Sequence, residues 1–434
     1  MKNTNSKIDK NTLSNDNYKQ TELGELPESW EVVRLGEVII PDRIKIKAKD
    51  YSGNEKIVEK IPFNTGKIVL REKKETGTDL YKSGKNRLLI SKINFHQGAV
   101  AITNETVVAT THYDFFKVLP NSDILFFWYY LRSSVFKDLF VNEIKFRGYK
   151  KEANYNFIKD FKIPLPPLLE QKKIAYVLST VQEAQEKTEK YISALKEFKK
   201  SMMKHLFTYG AVNPKDINKV ELKETEIGFV IKAWRIEKLD KFIEAAQYGI
   251  SKRAGAKGRY PMLRMNNMQN GFISYSNLQF LDLEESLFKK FKLNKGDILF
   301  NRTNSIDLVG KTSLFDIDGD FVFGSYLIRI KTKKELLPEF LNHYMNWEAT
   351  QFRIKSLASR AVGQANISAS KIKTLVIVIP PLEEQLRIAK ILTAIDERIE
   401  AAEKKKEALK ELFNSLLKNL MTAKIRVNNI KEVI

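Results

Sequence analysis

Pro166-Pro167-Leu168-Leu169-Glu170-Gln171 returns as Pro380-Pro381-Leu382-Glu383-Glu384-Gln385, 214 residues further on (380 minus 166). Ile174-Ala175 and Ile388-Ala389 follow at the same offset. Upstream, Thr21-Glu22-Leu23-Gly24 recurs as Thr225-Glu226-Ile227-Gly228, with Trp30 and Trp234, Leu35 and Leu239, and Ile39 and Ile243 behind it, all offset by 204 (225 minus 21). Two blocks in the same order at nearly the same spacing define an internal repeat, with about ten extra residues in the second copy.

Each Pro-Pro opens a run without Pro or Gly, Leu168–Tyr209 and Leu382–Lys424. These runs read as long helices with apolar residues every seventh position. In the first, one row is Ile174, Val181, Thr188, Leu195 and Met202, and a second is Val177, Ala184, Tyr191 and Phe198. The other run offers Ile388, Ile395, Ala402, Leu409 and Leu416, flanked by Ile391, Leu392, Ile399, Leu412, Phe413 and Leu420. Two matched stripes point to a helix pair, with Ile174, Val181, Leu195, Met202, Ile388, Ile395, Leu409 and Leu416 at its seam. A helix of about 40 residues is ~60 Å long. The connection 210–224 reaches at most ~50 Å, which a parallel pair would overstretch. The pair is therefore expected to be antiparallel, a spacer with one similar region at each end. Phe207, Leu417 and Met421 are candidate contacts for other subunits.

The region before each helix is rich in β-branched and aromatic residues with frequent Gly and Asn, which predicts mixed α/β structure. Expected strands are Arg87–Ser91, Ala99–Thr103, Phe115–Leu119, Asp297–Phe300, Thr312–Phe315 and Tyr326–Lys331. Expected helices are Ile124–Phe140 and Pro338–Leu357. The fold class is α+β: two α/β domains separated by a long antiparallel two-helix coiled coil, related by a pseudo-two-fold repeat.

Of 434 residues, 74 are Lys or Arg and 53 Asp or Glu, a net charge of +21 that calls for a polyanionic partner. There is no Cys, so thiolate metal sites, disulfides and Cys nucleophiles are excluded. Four scattered histidines argue against a zinc cluster. The first twenty residues are polar and lack a signal core, and no apolar run suits a bilayer span, so a cytoplasmic protein is expected.

On duplex DNA, Arg pairs with guanine and Asn or Gln with adenine, so clusters of cations and amides are the candidate reading residues. In the first region these are Lys85, Arg87, Lys92, Asn94, Arg147, Lys150 and Lys151. In the second they are Arg264, Asn266, Asn267, Arg302, Asn304, Lys311, Arg360, Gln364 and Asn366. Because the two sets differ, the half-sites they read should differ, giving an asymmetric target whose spacing the helices set. Catalytic motifs are missing. Leu165-Pro166-Pro167-Leu168 and Ile379-Pro380-Pro381-Leu382 lack the polar residue that holds a target amine. Gly310-Lys311-Thr312 is preceded by Ser305, where a phosphate-binding loop needs Gly.

Glu-Leu-Gly or Glu-Ile-Gly, then Trp, Gly296-Asp297-Ile298-Leu299, Gly363-Gln364-Ala365-Asn366-Ile367-Ser368, and Ile379-Pro-Pro-Leu-Glu-Glu-Gln385 before a long helix resemble the specificity subunit of type I restriction-modification systems. The resemblance spans Thr21 to Lys424. It implies a polar tail (1–20), a target recognition domain (21–165), a conserved helix (166–209), a linker (210–224), a second recognition domain (225–378), a second conserved helix (379–424) and a C-terminal tail (425–434). It further implies double-stranded DNA, methyltransferase subunits and restriction subunits as partners. S-adenosylmethionine, ATP and Mg would belong to those partners, with no cofactor in this chain, no catalytic site, and adenine methylation or restriction directed to a bipartite target. The first half departs from the pattern at Asn86-Arg87-Leu88-Leu89 and Gly148-Tyr149-Lys150-Lys151-Glu152-Ala153-Asn154. Two rivals remain: a self-contained modification enzyme, which would bind S-adenosylmethionine alone, and a coiled-coil scaffold, whose binding would ignore DNA sequence and survive Arg302→Ala or Arg264→Ala.

Overall fold

The computed structural model describes residues 17–73, 75–147, 152–269, 271–361 and 363–427, with side chains for all of these except 144–147, 360 and 361. The chain divides into two compact units, residues 1–189 with 404–434, and residues 190–403. The division falls inside both long helices, Leu168–Tyr209 and Leu382–Met421, so each helix contributes to both units. Among the described residues no helix is long and apolar enough to cross a membrane.

The pairing is antiparallel within each unit. In the first, Glu170 meets Arg426, Gln185 donates to the Leu409 carbonyl and Lys406 reaches Glu189. In the second, Lys196 meets Glu403 and Lys199 meets Asp396. Ile174, Leu195, Ile388 and Ile395 are buried, and Val181, Met202, Leu409 and Leu416 are half-buried. The second expected row fails at its C-terminal end, because Tyr191 and Phe198 are 51% and 52% exposed. A seven-residue row drifts by ~20° per heptad around a straight helix, and from Val177 to Phe198 that drift turns the row out of the seam. Phe207, Leu417 and Met421 also differ from expectation. Phe207 lies edge-on to Phe340 and Tyr344, Met421 is buried, and Leu417 packs on the same core as Met421, so none offers a free docking surface.

The two units share one plan. A four-stranded antiparallel sheet runs Val100–Ile102, Leu88–Ser91, Tyr113–Val118, Ile39–Pro41 in the first unit. Its counterpart runs Thr312–Leu314, Ile298–Asn301, Leu327–Thr332, Ile243–Tyr248. The departure at Asn86-Arg87-Leu88-Leu89 thus leaves the central strand where Gly-Asp-Ile-Leu puts it. A second sheet has five strands in the first unit and three in the second, and each contains one parallel pair, Lys56–Lys60 with Val107–Thr110 and Tyr260–Leu263 with Val322–Phe323.

The repeated motifs have local physical roles. Thr21 and Thr225 each accept the N–H two residues on and donate to the carbonyl of Gly24 or Gly228. Both glycines sit at φ +101°, a conformation that disfavours a Cβ, so the hairpin turn needs Thr-x-x-Gly. Gln171 donates to the Pro166 carbonyl and accepts the Asp123 N–H, and Gln385 does the same with Pro380 and Leu337. Each buried glutamine ties the start of a long helix to the start of a helix in its own head. The expected helices Ile124–Phe140 and Pro338–Leu357 are each broken in two, into Ile124–Arg132 and Ser134–Arg147, and Pro338–Asn346 and Glu348–Ser356. The breaks fall at Ser133 and Trp347, both extended in backbone and 214 apart. Ser133 donates to Tyr130 O and accepts from Phe136 N–H, closing one helix and opening the next.

Candidate nucleic-acid interface

In both units the residue that follows the central strand is a cation held in the same backbone frame. Lys92 donates its N–H to His112 O and accepts from Ala153 N–H, and Arg302 does so with Tyr326 and Ile367. Each cation lies over a tyrosine: Lys92 Nζ is 5.7 Å from the Tyr81 ring centre, and the Arg302 guanidinium carbon 4.8 Å from that of Tyr248. Lys92 and Arg302 are therefore structural counterparts, in the register that sets Asn86-Arg87-Leu88-Leu89 against Gly296-Asp297-Ile298-Leu299.

In the first unit, Arg43 shares the Tyr81 ring at 4.6 Å and forms an ion pair with Asp114. Burial raises the Asp114 carboxyl, while Arg43 and Lys92 oppose that shift. Asn94 and Lys85 are exposed. Arg87 is drawn into an ion pair with Asp42 and also donates to the carbonyls of Lys85 and Asn86, so it braces the turn at Asn86 (φ 58°). Arg147 closes its helix with its side chain outside the described set, and Lys150 and Lys151 lie outside the described residues.

In the second unit, Asn267 is a correction. It is 2% exposed, accepts the Arg264 N–H, and donates to Ser274 O and Ser276 O. Its amide is consumed by the turn and has no edge left for a base. Arg264 donates to Asn277 O and is half-buried, whereas Asn266 is exposed. Asn304 is half-buried, with its amide nitrogen 3.6 Å from Met265 Sδ and its oxygen accepting the Ser305 N–H. Asn366 is half-buried, donating to Thr303 Oγ1 and accepting from Arg302. Gln364 is exposed on the same strand, and Lys311 is half-buried. Arg360 sits in the adjoining strand, with its side chain outside the described set. Sequence reasoning missed Arg43, Tyr81 and Tyr248, whose signal is an aromatic strand residue brought beside a cation by sheet pairing.

What results is two sheets of the same topology that carry different cations, amides and aromatics on their connecting segments. The family description "Type I restriction modification DNA specificity domain" matches residues 27–197 and again 231–411. The chain belongs to this family and is a type I restriction-modification DNA specificity subunit. The MjaVIII type I restriction enzyme specificity subunit of Methanocaldococcus jannaschii is 27% identical over 429 residues, covering 96% of this chain and 97% of that protein. The EcoKI specificity subunit of Escherichia coli is 26% identical over 440 residues, covering 95% and 88%. A solved S subunit of a type I system from M. genitalium shares the fold, with a TM-score of 0.57 at 15% identity over 90% of this chain and 96% of that one.

Proposed function

We propose that each head reads one part of an asymmetric, two-part duplex target, and that this chain contributes recognition while partner subunits supply the chemistry. One observation carries the reading: a duplicated scaffold bears two different sets of polar residues, exposed Lys85 and Asn94 with half-buried Lys92 in one head, and exposed Asn266 and Gln364 with half-buried Lys311 in the other. Similar scaffolds with unlike surfaces suit two unlike half-sites. Lys and Arg neutralise phosphates, and the amides reach base edges. S-adenosylmethionine, ATP and Mg belong to methyltransferase and restriction subunits, and the product is a methylated adenine or a cut. Family membership favours neither the self-contained enzyme nor the scaffold.

Methylation mapping of cells that express this chain with a cognate methyltransferase, with and without this gene, tests the reading. A split motif that disappears with the gene is expected. An unchanged methylome would reject the proposal.

The docking face for two copies of one methyltransferase follows from the repeat. Packing constrains buried positions, whereas exposed positions have no such constraint to keep them alike. Ala194, Phe198 and Ser201 lie on one helix face and recur as Ala408, Leu412 and Ser415, exposed in both copies. Phe198 and Leu412 are 52% and 46% exposed, an unusual place to keep large apolar side chains twice. Phe198→Asp and Leu412→Asp should each remove one methyltransferase copy from the purified complex, and the double variant both. Native mass spectrometry reads the stoichiometry, and unchanged masses would rule this face out.

A further inference from the structure

Arg302 looks at first like a base-reading side chain, but its contacts are spent inside the protein. One terminal nitrogen donates to Ser325 O at 3.3 Å and the other to Asn366 Oδ1 at 3.2 Å. Its face covers Tyr248, whose hydroxyl accepts the Ala369 N–H at 2.9 Å. Its Nε is buried. The guanidinium therefore joins segments around residues 248, 325 and 366 at once. Asn366 passes the restraint on by donating to Thr303 Oγ1 at 2.8 Å. It ends the strand Gln364–Asn366, which lies between Thr303–Asn304 and Ser359–Ala361 in a small antiparallel sheet. Gln364 is exposed at the other end of that strand.

We infer that Arg302 is a positioning residue that acts through Asn366, fixing the strand Gln364–Asn366 so that exposed Gln364 meets the DNA in one orientation. A planar fork can hold two acceptors and stack on a ring, which a lysine ammonium does less well. Lys92, the counterpart in the first head, has a ring beneath it and no such fork. The second head should therefore depend on this residue's geometry, and the first only on its charge. This inference rests on the reading of the heads as DNA-recognition elements, so its test has one arm without DNA.

In the full-length chain without DNA, Arg302→Lys and Asn366→Ala should each speed hydrogen exchange at the amides of Ala365, Asn366 and Ile367 about tenfold or more. The melting temperature and the exchange of the first unit should stay unchanged. Protection equal to the parent in both variants overturns the inference, whatever the DNA result. With the complete complex and its mapped target, both variants should lose discrimination at the second half-site to the same extent, and the double variant should lose no more than either. The salt dependence of affinity should keep its slope. A slope smaller by about 0.9 for Arg302→Ala would reveal a phosphate contact, and additive losses would reveal direct base reading. Either result overturns the inference. Loss of all sequence preference in the parent complex would instead reject the proposed function and leave the exchange arm to decide.

Discussion

Arg426→Ala should destabilise the first unit by about 3–5 kcal/mol, because it strips the cation from a buried carboxylate. Arg426 places Nε at 2.7 Å and a terminal nitrogen at 2.9 Å from the two oxygens of Glu170, a two-pronged pair with both side chains under 10% exposed. Trp30 Nε1 adds a third donor at 3.0 Å. The segment after the second long helix is strapped down further by Tyr18, which donates to Ala423 O, and by buried Val427. With Arg426 gone, one indole N–H cannot balance the charge. The first transition in calorimetry should fall by on the order of 10 °C while the second unit's stays in place. Recognition of the first half-site should fail with it. Glu170→Gln in the same chain should restore part of the loss, since Gln still accepts from Trp30 without a charge. The repeat supplies the control: Glu384 is served by the Ala211 N–H and by Arg387, which is 63% exposed. Arg387→Ala should cost only ~0–1 kcal/mol. Equal costs for the two arginines would contradict this account.

That pair also shows what the sequence reveals and what it hides. The Trp and the Pro-Pro-Leu-x-Glu-Gln block stand out as repeated residues, and part of the glutamines' role is local, since Gln171 and Gln385 bond to the prolines five residues before them, whereas Trp30 finds Glu170 only across the fold. The long helices are legible because an uninterrupted apolar period forces them, and their antiparallel sense follows from the short connection. The breaks at Ser133 and Trp347 are not legible. Neither residue is Pro or Gly; Ser133 caps its break with its own hydroxyl, whereas Trp347 makes no side-chain cap and packs on Phe207 and Tyr344. Asn267 resembles a base reader in sequence, because an exposed amide and a buried turn-bracing amide have the same letter. Lys92 and Arg302 share one register in the sequence, but the ring each lies over, Tyr81 or Tyr248, emerges only from the fold.

Lys199→Ala should be comparably damaging in the second unit, and its cost should depend on pH. Lys199 Nζ lies 2.6 Å from Asp396 Oδ1 between the two long helices, and Asp396 is 4% exposed. His343 approaches the same carboxylate at 3.8 Å while its Nε2 is 3.1 Å from Thr393 Oγ1. Burial, with Lys199 adding to it, pushes His343 down to about 3, so it is neutral at physiological pH. Burial raises Asp396, and Lys199 restrains that rise. Removing Lys199 leaves a buried carboxylate without its cation, a loss of about 3–5 kcal/mol at neutral pH. The sign with pH follows from proton linkage. The variant's Asp396 has a folded pKa further above its unfolded value, so the charge penalty fades as pH falls through that raised value. His343 contributes stability above its ordinary value near 6.5, lost as pH falls toward 3 in the parent. Without Lys199 its pKa moves back up and that loss shrinks. Both changes narrow the gap between variant and parent on going from pH 8 to pH 5, which denaturant unfolding can follow. The first unit shows how the same place is filled without charge: 214 residues away, Tyr129, Gln182 and Phe413 stand for His343, Asp396 and Lys199, with Tyr129 Oη donating to Gln182 Oε1. Grafting that trio as His343→Tyr, Asp396→Gln and Lys199→Phe should recover most of the stability and flatten the pH dependence, because a packed neutral set can match a buried ion pair. A pH-independent cost for Lys199→Ala, or a triple variant no better than the single, would show that this charge cluster does not hold the second unit together.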